Sequence, residues 1–360
     1  MNRVDVNCRI CGFDENIRLE HDSLLFPNNS YNQDLHEYDN FLCGGCGVVF
    51  QHPEITDAAL VKYYNSEYRA SDYAVKIDGQ TFEPPIEIPW SGVSFKRFET
   101  FQRMMSELED LKLIDTPKKE DVLIDFGGYQ GLFAHAARNH FDIEPIVYDY
   151  NENGVNFART ALNMPRSQIA KNIYTDIFPL KANYCTMVHV FEHLRDPNLF
   201  LSHLRDTILH PSGYLYLEVP NIFGSPLSDP THFFTYSMES LAYTLRKNGF
   251  EPILMQEHQD PKISRPTWSD QRLNISVIAQ LVPKSTTIEA PLAKLNIDHL
   301  AAEIKLAHSR CRDRIVYRQI RALLQEMART IYYIAFGLIL ERISFRLASN
   351  LKSLLRRFLK

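Results

Sequence analysis

The sequence predicts an α/β fold with a mostly parallel sheet, preceded by a small metal-binding module and followed by a helical extension. Three observations support this prediction: a strand pattern that turns through glycines into a helix, a second strand that ends in an acid, and two C-x-x-C pairs near the N-terminus. With 360 residues, 45% of them hydrophobic, the chain can bury the core of two or more domains.

Four of the six cysteines form two pairs, Cys8 with Cys11 in CRIC and Cys43 with Cys46 in CGGC. Two such turns can bring four thiolates to one ion, and a closed tetrathiolate site predicts structural Zn²⁺ without a catalytic position. Two disulfides are the alternative. The N-terminus has no apolar leader, which predicts a cytoplasmic protein in which disulfides are rare. We assign the zinc-binding module to residues 1–68.

A proline-rich stretch and a helix are expected between this module and the sheet. Residues 69–92 contain three prolines within six positions and are interpreted as a linker or an active-site arm. From about Val93 to Leu113, apolar residues recur at helical spacing, so a helix is predicted to lead into the first strand of the sheet.

The segment VLIDFGGYQG, Val122 to Gly131, predicts a buried strand that turns sharply into a helix. Gly127, Gly128 and Gly131 would permit the tight turn and a close approach of the backbone to a ligand, and the first helical amides would offer hydrogen-bond donors. The next strand, IEPIVYDY, ends at Asp149, where an acid can accept both hydroxyls of a ribose.

Four further strands are read from the sequence. A strand from Tyr184 to Val190 ends beside a polar cluster of His189, Glu192 and His193, and Gly213 to Asn221 forms the next strand. The patterns FEPILMQEH and LNISVIAQLVP predict the last two strands, one of them antiparallel. With a third strand expected ahead of Asp176, the sheet would have seven strands.

These motifs, in this order and spacing, resemble class I S-adenosylmethionine-dependent methyltransferases. The resemblance is greatest to the branch with EHL-x-DP after the fourth strand and VPN after the fifth, and it covers roughly residues 95 to 283. It implies a Rossmann-like seven-stranded methyltransferase sheet over 93–284 that binds S-adenosylmethionine. One departure is that the family has glycine at the position of Tyr129.

The resemblance also implies which side chains hold the cofactor. Asp125 would support the methionine end, Asp149 the ribose, and Asp176, in IYTDIFPL, the adenine. The implied cofactor-binding set is Asp125, Gly127, Gly128, Gly131, Asp149, Asp176 and His189.

The acceptor side resembles saccharide and nucleotide-sugar methyltransferases, several of which carry a zinc module before the catalytic domain. In related sugar C-methyltransferases an H-E-H-like element follows the fifth strand, and His232 matches its last histidine while Thr231 replaces its glutamate. This implies His232 as the catalytic base, with Glu192 and His193 also facing a saccharide acceptor. Loss of the glutamate leaves oxygen methylation at least as well supported as carbon methylation. Alternatively, His232 caps or packs against the helix that begins near Ser237.

The C-terminal segment, 285–360, has a different character. Residues 296–360 contain thirteen Lys or Arg against five Asp or Glu, whereas the whole chain has a net charge of −5. This predicts a basic helical tail with an acidic partner, such as the inner face of a membrane contacted through 330–360. A homodimerisation arm or a lid on the core is the alternative. Nucleic acid is not an expected partner, because the rest of the chain is acidic.

Two other function classes use part of the same pattern. An NAD-dependent oxidoreductase would also use the glycine loop and Asp149, but it gives no reason for the Glu192–His193 and VPN elements. A non-catalytic scaffold with a methyltransferase fold is the second alternative, and Tyr129 in the glycine loop is the feature that motivates it.

Overall fold

A computed structural model describes residues 3–19, 38–56, 58, 60, 93–224, 227, 229, 231–258, 273–282 and 296–309. The chain divides into two compact units, Met1–His308 and Ser309–Lys360, and every feature discussed below belongs to the first. The predicted arm at 69–92 and the predicted membrane contact at 330–360 lie outside the described residues.

Twelve strands in the described part of the chain form two sheets. In chain order they are β1 Arg3–Asp5, β2 Glu15–Leu19, β3 Asp39–Cys43, β4 Val49–His52, β5 Val122–Phe126, β6 Glu144–Asp149, β7 Gln168–Ile169, β8 Ala182–Val188, β9 Leu209–Pro220, β10 Phe234–Thr235, β11 Phe250–His258 and β12 Asn274–Leu281. The helices are α1 Val93–Asp110, α2 Leu132–Phe141, α3 Glu152–Thr160, α4 Pro197–His203, α5 Met238–Lys247 and α6 at 297–309.

The larger sheet has seven strands in the order β11-β12-β9-β8-β5-β6-β7. Strands β5 to β9 run parallel, and β12 is antiparallel to both of its neighbours, β9 and β11. The predicted α/β fold with seven strands, one of them antiparallel, is confirmed. The carboxyl ends of β5, β6, β8, β9 and β11 therefore meet at one edge, where open parallel sheets bind ligands.

The smaller sheet joins the N-terminal module to the central domain. Its order is β1-β2-β3-β4-β10, and β10 follows β9 in the chain. Phe234 pairs with Phe50 and Thr235 with Val49, antiparallel. The module is consequently continuous in hydrogen bonding with the segment that follows the fifth strand of the central sheet.

Helix α1 covers one face of the central sheet with aromatic and aliphatic side chains. Phe98 and Phe101 are buried, and the Phe101 ring lies 4.9 Å from that of Tyr216 in β9, measured between centroids. Each such burial stabilises the fold by about 1.5–3 kcal/mol. The helix ends at Asp110, three residues before the predicted end, and Leu111 and Leu113 are exposed.

Helix α6 packs on the smaller sheet. Ala301 and Ile304 are buried in a cluster with Ile17, Leu42 and Val49. The first part of the segment that we assigned to the tail thus contacts the zinc module. Among the described helices, none combines the length and the apolar character needed to cross a bilayer.

Candidate active site

The loop between β5 and α2 is built around glycines with little space for side chains. Gly127 and Gly131 have φ angles of +68° and +78°, a region that disfavours other residues. A Cβ on Gly131 would lie 2.7 Å from Val147 Cγ2, and a Cβ on Gly128 would collide with the carboxyl of Asp125. At these positions the loop has no side chains at the edge of the sheet, so a ligand could approach its backbone closely.

Tyr129 occupies the position at which the resembling family has glycine, and it keeps the glycine-like conformation. Its φ is +50°, in the left-handed region. Its ring lies against Gly154 near the start of α3, where a Cβ would come 2.6 Å from Tyr129 Cδ2. Because Gly154 has no side chain, there is room for the ring, and this packing explains how a bulky residue is accommodated in the loop.

Asp149 ties the glycine loop to the start of α3. It is 7% exposed at the end of β6, as predicted. Its Oδ2 accepts a hydrogen bond from the Tyr129 amide at 2.9 Å, and its Oδ1 accepts one from the Asn151 amide at 2.7 Å. These bonds fix the carboxylate at the position where it would meet the hydroxyls of a bound ribose.

Asp125 contributes a buried carboxyl group beside the same loop. Its Oδ1 accepts a 2.7 Å hydrogen bond from Thr186 Oγ1, while its Oδ2 has no hydrogen-bond partner among the described residues. Burial raises the pKa of Asp125 to about 7. An orphaned, buried oxygen next to a bare loop fits a ligand that supplies a donor, such as the ammonium group of S-adenosylmethionine. The residues present therefore fit this cofactor.

Asp176 has a structural role in the loop that follows β7. Its Oδ2 accepts hydrogen bonds from Tyr148 Oη at 2.9 Å and from the amides of Lys171 and Asn172 at 2.8 and 3.1 Å. These bonds shape the loop beside Asp149. The contact of Asp176 with adenine stays a prediction. Tyr150, which follows Asp149 and is 61% exposed, offers an aromatic surface there that sequence reasoning missed.

The fourth strand ends two residues earlier than predicted. β8 stops at Val188, because His189 takes a φ of +55° and turns the chain into a 3₁₀ turn over Phe191–His193. This turn brings His189, Glu192 and His193 to the carboxyl edge. The following helix is capped by Asp196, whose Oδ1 accepts from the Leu199 amide at 2.9 Å.

Glu192 is fully buried and lacks hydrogen bonds within the described structure. The nearest imidazole nitrogens are His189 Nδ1 at 3.3 Å and His193 Nε2 at 4.0 Å from its Oε1. Burial acts to raise the pKa of Glu192, but the neighbouring histidines lower it to about 2. The side chain is therefore an anion inside the protein, directed at a group of imidazoles.

His232 reaches this group from the loop after β9. Its ring lies 4.8 Å from that of His193, in an edge-to-face arrangement, and its Nε2 lies 3.5 Å from Asp229 Oδ2. Burial lowers the pKa of His232, so the neutral ring is favoured. The helix that begins after Ser237 is capped by Ser237 and Ser240, which removes the capping role considered for His232.

Asp229 supplies the carboxylate that Thr231 does not. The hydroxyl and the amide of Thr231 donate to Asp229 Oδ1 at 2.7 and 2.9 Å, and they hold the acid against His232. Sequence reasoning missed Asp229 because its pairing depends on a loop conformation. Thr231, at the position of the family's glutamate, thus positions the carboxylate of Asp229 beside His232.

Glu218 in β9 is a third residue that sequence reasoning missed. It is fully buried, and its carboxylate accepts from Tyr216 Oη at 3.2 Å and lies 3.2 Å from His189 Nε2 and 3.4 Å from Arg97 Nε. The acid therefore links α1 and β9 to the turn after β8. A charged residue inside the apolar strand LYLEVP was the available signal.

The four predicted zinc ligands lie together in the N-terminal module. Their sulfurs lie within 4.8 Å of one another, with Cys8 to Cys46 at 3.7 Å and Cys11 to Cys43 at 3.4 Å. Disulfides require about 2.05 Å, whereas Zn–S bonds of about 2.3 Å place tetrahedral sulfurs roughly 3.8 Å apart. Amides of Gly45 and Cys46 point at the Cys43 sulfur, as thiolate ligands require. The donor set fits zinc.

The zinc module also holds the loop that carries Asp229 and His232. The side-chain Nε2 of Gln51 donates to the Asp229 carbonyl at 2.6 Å, and the backbone amide of Gln51 donates to the Phe233 carbonyl at 3.2 Å. Asn40 Nδ2 donates to the Leu227 carbonyl at 2.8 Å. With the β4–β10 pairing, these bonds make the module a support for one wall of the site.

Comparisons with known proteins agree with this architecture. Residues 97–254, less than half of the chain, match the family model described as "Methyltransferase domain". No curated protein matches the sequence. The match supports methyl transfer rather than the hydride transfer considered as an alternative.

Solved structures with a similar fold include three methyltransferases. The one in a complex with the Haloferax volcanii Trm112 methyltransferase activator has 16% identity and a TM-score of 0.39, and the match covers 54% of this chain and 96% of that chain. A 1,6-didemethyltoxoflavin-N1-methyltransferase from Burkholderia thailandensis, bound to its substrate and S-adenosylhomocysteine, has 15% identity, a TM-score of 0.37 and coverages of 57% and 98%. An S-adenosylmethionine-dependent enzyme from Aquifex aeolicus has 17% identity, a TM-score of 0.36 and coverages of 51% and 98%.

Proposed function

We propose that this chain, in which residues 97–254 form a methyltransferase domain, transfers a methyl group from S-adenosylmethionine to a saccharide. The predicted reaction class is confirmed by that match, and the donor and the acceptor are the finer part of the proposal. One observation carries it. The bare glycine loop and the anchored carboxylate of Asp149 lie at the same sheet edge as the cluster of Glu192, His193 and His232.

The donor would lie along the edge formed by β5 and β6. Asp149 would accept the ribose hydroxyls, and the orphaned oxygen of Asp125 would accept from the ammonium group. The glycine loop would let the cofactor approach the backbone closely. When bound, S-adenosylmethionine supplies an electrophilic methyl group on a sulfonium, so the chain's residues need only align the acceptor and remove a proton.

The acceptor would lie beside Glu192, His193 and His232. A hydroxyl oxygen, or an activated carbon, would bond to the methyl carbon while the carbon–sulfur bond breaks and the acceptor proton leaves toward this cluster. The pairing of His232 with Asp229 supports its predicted role in that proton step. A polar pocket rich in imidazole and carboxylate suits a polyhydroxylated ligand. The saccharide itself rests on the resemblance of the sequence to sugar methyltransferases.

The experiment is an assay with labelled S-adenosylmethionine and nucleotide-sugars or lipid-linked glycans as acceptors. We expect labelled methyl groups in a saccharide product, with S-adenosylhomocysteine formed in equal amount. His232→Ala should abolish turnover and leave the affinity for S-adenosylmethionine unchanged. Near-normal turnover in that variant would remove His232 from the proton step.

Binding experiments separate the remaining alternatives. A folded, zinc-loaded protein that binds NAD and not S-adenosylmethionine would favour the oxidoreductase. Binding of neither would favour the non-catalytic scaffold. The predicted cytoplasmic location, the membrane or dimer contact of the tail, and the absence of a nucleic-acid partner stay predictions.

A further inference from the structure

Three potential ligand atoms converge at the acceptor side of the site. Glu192, His193 and His232 each offer one such atom, and these atoms lie within 4.8 Å of one another. Ligands bound about 2.1 Å from a metal ion lie roughly 3–4 Å apart, so a modest contraction would close the set around an ion. The residues come from two segments, the turn after β8 and the loop before β10, which an ion would connect.

Both imidazoles are already oriented by their second ring nitrogen. His193 Nδ1 lies 2.9 Å from the Thr231 carbonyl, which can only accept a hydrogen bond, so Nε2 is the ring nitrogen that is left to face Glu192. His232 Nε2 lies 3.5 Å from the Asp229 carboxylate, which can orient the ring in the same way. A carbonyl or carboxylate behind each histidine is the arrangement that surrounds metal-binding histidines.

Glu192 provides an independent observation. Both of its oxygens are buried, and neither has a hydrogen-bond partner in the described part of the chain. A buried carboxylate without hydrogen bonds is unfavourable unless a cation compensates it. His189 is nearby, at 3.3 Å, but it also faces Glu218.

Carboxylates lie around the cluster. Glu192 is one of its members, and Asp229 faces His232. Glu218 lies behind His189, where His189, Arg97 and His258 contact it. A divalent cation at the point where the three ligand atoms meet would place positive charge beside Glu192 and near Asp229.

We propose that Glu192, His193 and His232 form a second metal site, which binds a divalent first-row transition metal ion. Two imidazoles and one carboxylate suit Mn²⁺, Fe²⁺, Co²⁺ or Zn²⁺ better than Mg²⁺. Three protein ligands leave coordination positions open, unlike the closed tetrathiolate of the zinc module. This metal site deepens the proposed function. It rests on that function only for the position of the acceptor at this edge of the sheet.

An ion here would give the cluster a defined task in the reaction. An acceptor hydroxyl that occupies an open position would lose its proton more readily, because the cation stabilises the alkoxide. Vicinal oxygens of a saccharide could occupy two positions. With an ion bound, His193 and His232 would act as ligands, and this would replace the base role of His232 in the proposed function. The proton would then pass to the surrounding carboxylates and water.

The test uses the full-length, zinc-loaded protein and Mn²⁺ alone as the probe. Thiolates retain zinc against Mn²⁺, so Mn²⁺ reports on the second site without disturbing the first. We expect saturable uptake of one Mn²⁺ per chain, followed as the loss of the free-ion electron paramagnetic resonance signal. Absence of uptake by protein with full zinc content would overturn the proposal.

Variants connect the uptake to these residues. Glu192→Gln and His193→Ala should each weaken Mn²⁺ binding at least about tenfold, and Asp229→Asn, which disturbs only the support of His232, by about 10–100-fold. The matched control is His299→Ala, which removes an exposed histidine 3.6 Å from Glu303 and should change nothing. Equal weakening in the control, or unchanged binding in Glu192→Gln, would contradict the assignment.

The affinity for S-adenosylmethionine, measured on the same samples, monitors folding and separates the two proposals. Variants that lose Mn²⁺ but keep S-adenosylmethionine are folded and support the metal site. Binding of Mn²⁺ without S-adenosylmethionine would leave the metal site standing and contradict the proposed donor. Binding of S-adenosylmethionine without Mn²⁺ would support the proposed donor and overturn the metal site.

Discussion

Tyr129 and Gly154 are a pair in which a bulky ring packs directly against a glycine. The ring of Tyr129 lies where a Cβ on Gly154 would be, so each residue depends on the other. The resemblance to a family with glycine at 129 identified the departure, but the sequence alone could not identify the compensating glycine twenty-five residues later. Their relationship is testable by mutation.

Gly154→Ala should destabilise the fold by about 1–3 kcal/mol and weaken cofactor binding, because the added methyl displaces the Tyr129 ring. Adding Tyr129→Gly should recover part of both losses, since the ring is then absent. Chemical denaturation and calorimetry measure the two effects. Additive losses in the double variant would show that the two residues do not interact.

Asp125 predicts a pH-dependent affinity for the cofactor. Its pKa is raised by burial to about 7, so the folded protein holds a proton on it between its ordinary pKa and about 7. Binding of an ammonium group would favour the carboxylate and release that proton. The affinity should therefore rise as pH increases from about 6 to 8.

Calorimetry in buffers of different ionisation enthalpy would detect the released proton near pH 6.5. Asp125→Asn should abolish the release and flatten the pH dependence, while the histidines of the acceptor side remain. The same proton release in the variant would assign it to another group.

The two-residue strand β10 is the element that joins the zinc module to the acceptor wall. Its existence depends on pairing with β4, almost two hundred residues away in the chain, so no local periodicity could predict it. The long strands, by contrast, follow from their apolar runs. Strand β8 begins and ends two residues earlier than predicted, and it ends where His189 adopts a positive φ.

Gln51→Ala tests whether this element positions the acceptor side. The variant loses the hydrogen bond to the Asp229 carbonyl. Loss of a buried hydrogen bond typically lowers the free energy of unfolding by about 1–3 kcal/mol. We expect a lower kcat and a displaced pH profile, because His232 faces Asp229, His193, Glu192 and His189. The dissociation constant of S-adenosylmethionine should not change.

A matched control is Arg18→Ala, which breaks an exposed ion pair with Asp39 elsewhere in the same small sheet. Arg18→Ala should leave kcat and the dissociation constant of S-adenosylmethionine near their original values. Equal losses of kcat in the two variants would indicate a general loss of stability, and the positioning role would be abandoned.

At the scale of the whole molecule, the sequence predicted the architecture better than the contents of the site. The order of strands and the four cysteines follow from patterns that are local in sequence. Glu218 and Asp229 became recognisable only in three dimensions, because their partners come from different elements. A lone acid in an apolar strand does not reveal which cation it faces.

In the proposed function, the donor side is built mainly from one segment, and the acceptor side is supported by the N-terminal module. Residues 122–151 contain the whole predicted cofactor loop with Asp149, whereas the acceptor wall needs β4, β8 and β10 together. Variation in the zinc module would therefore alter the acceptor side while leaving the donor side in place. The basic tail beyond residue 309 lies outside the described residues.

Calorimetric titration of the zinc-loaded protein with S-adenosylmethionine tests the central claim most directly. We predict saturable binding with one molecule per chain in the micromolar range. Asp149→Ala should weaken it at least about tenfold, or about 1.4 kcal/mol, because the carboxylate would accept from the ribose. A folded protein that binds no S-adenosylmethionine, or a variant that binds it as tightly as the original chain, would contradict the account.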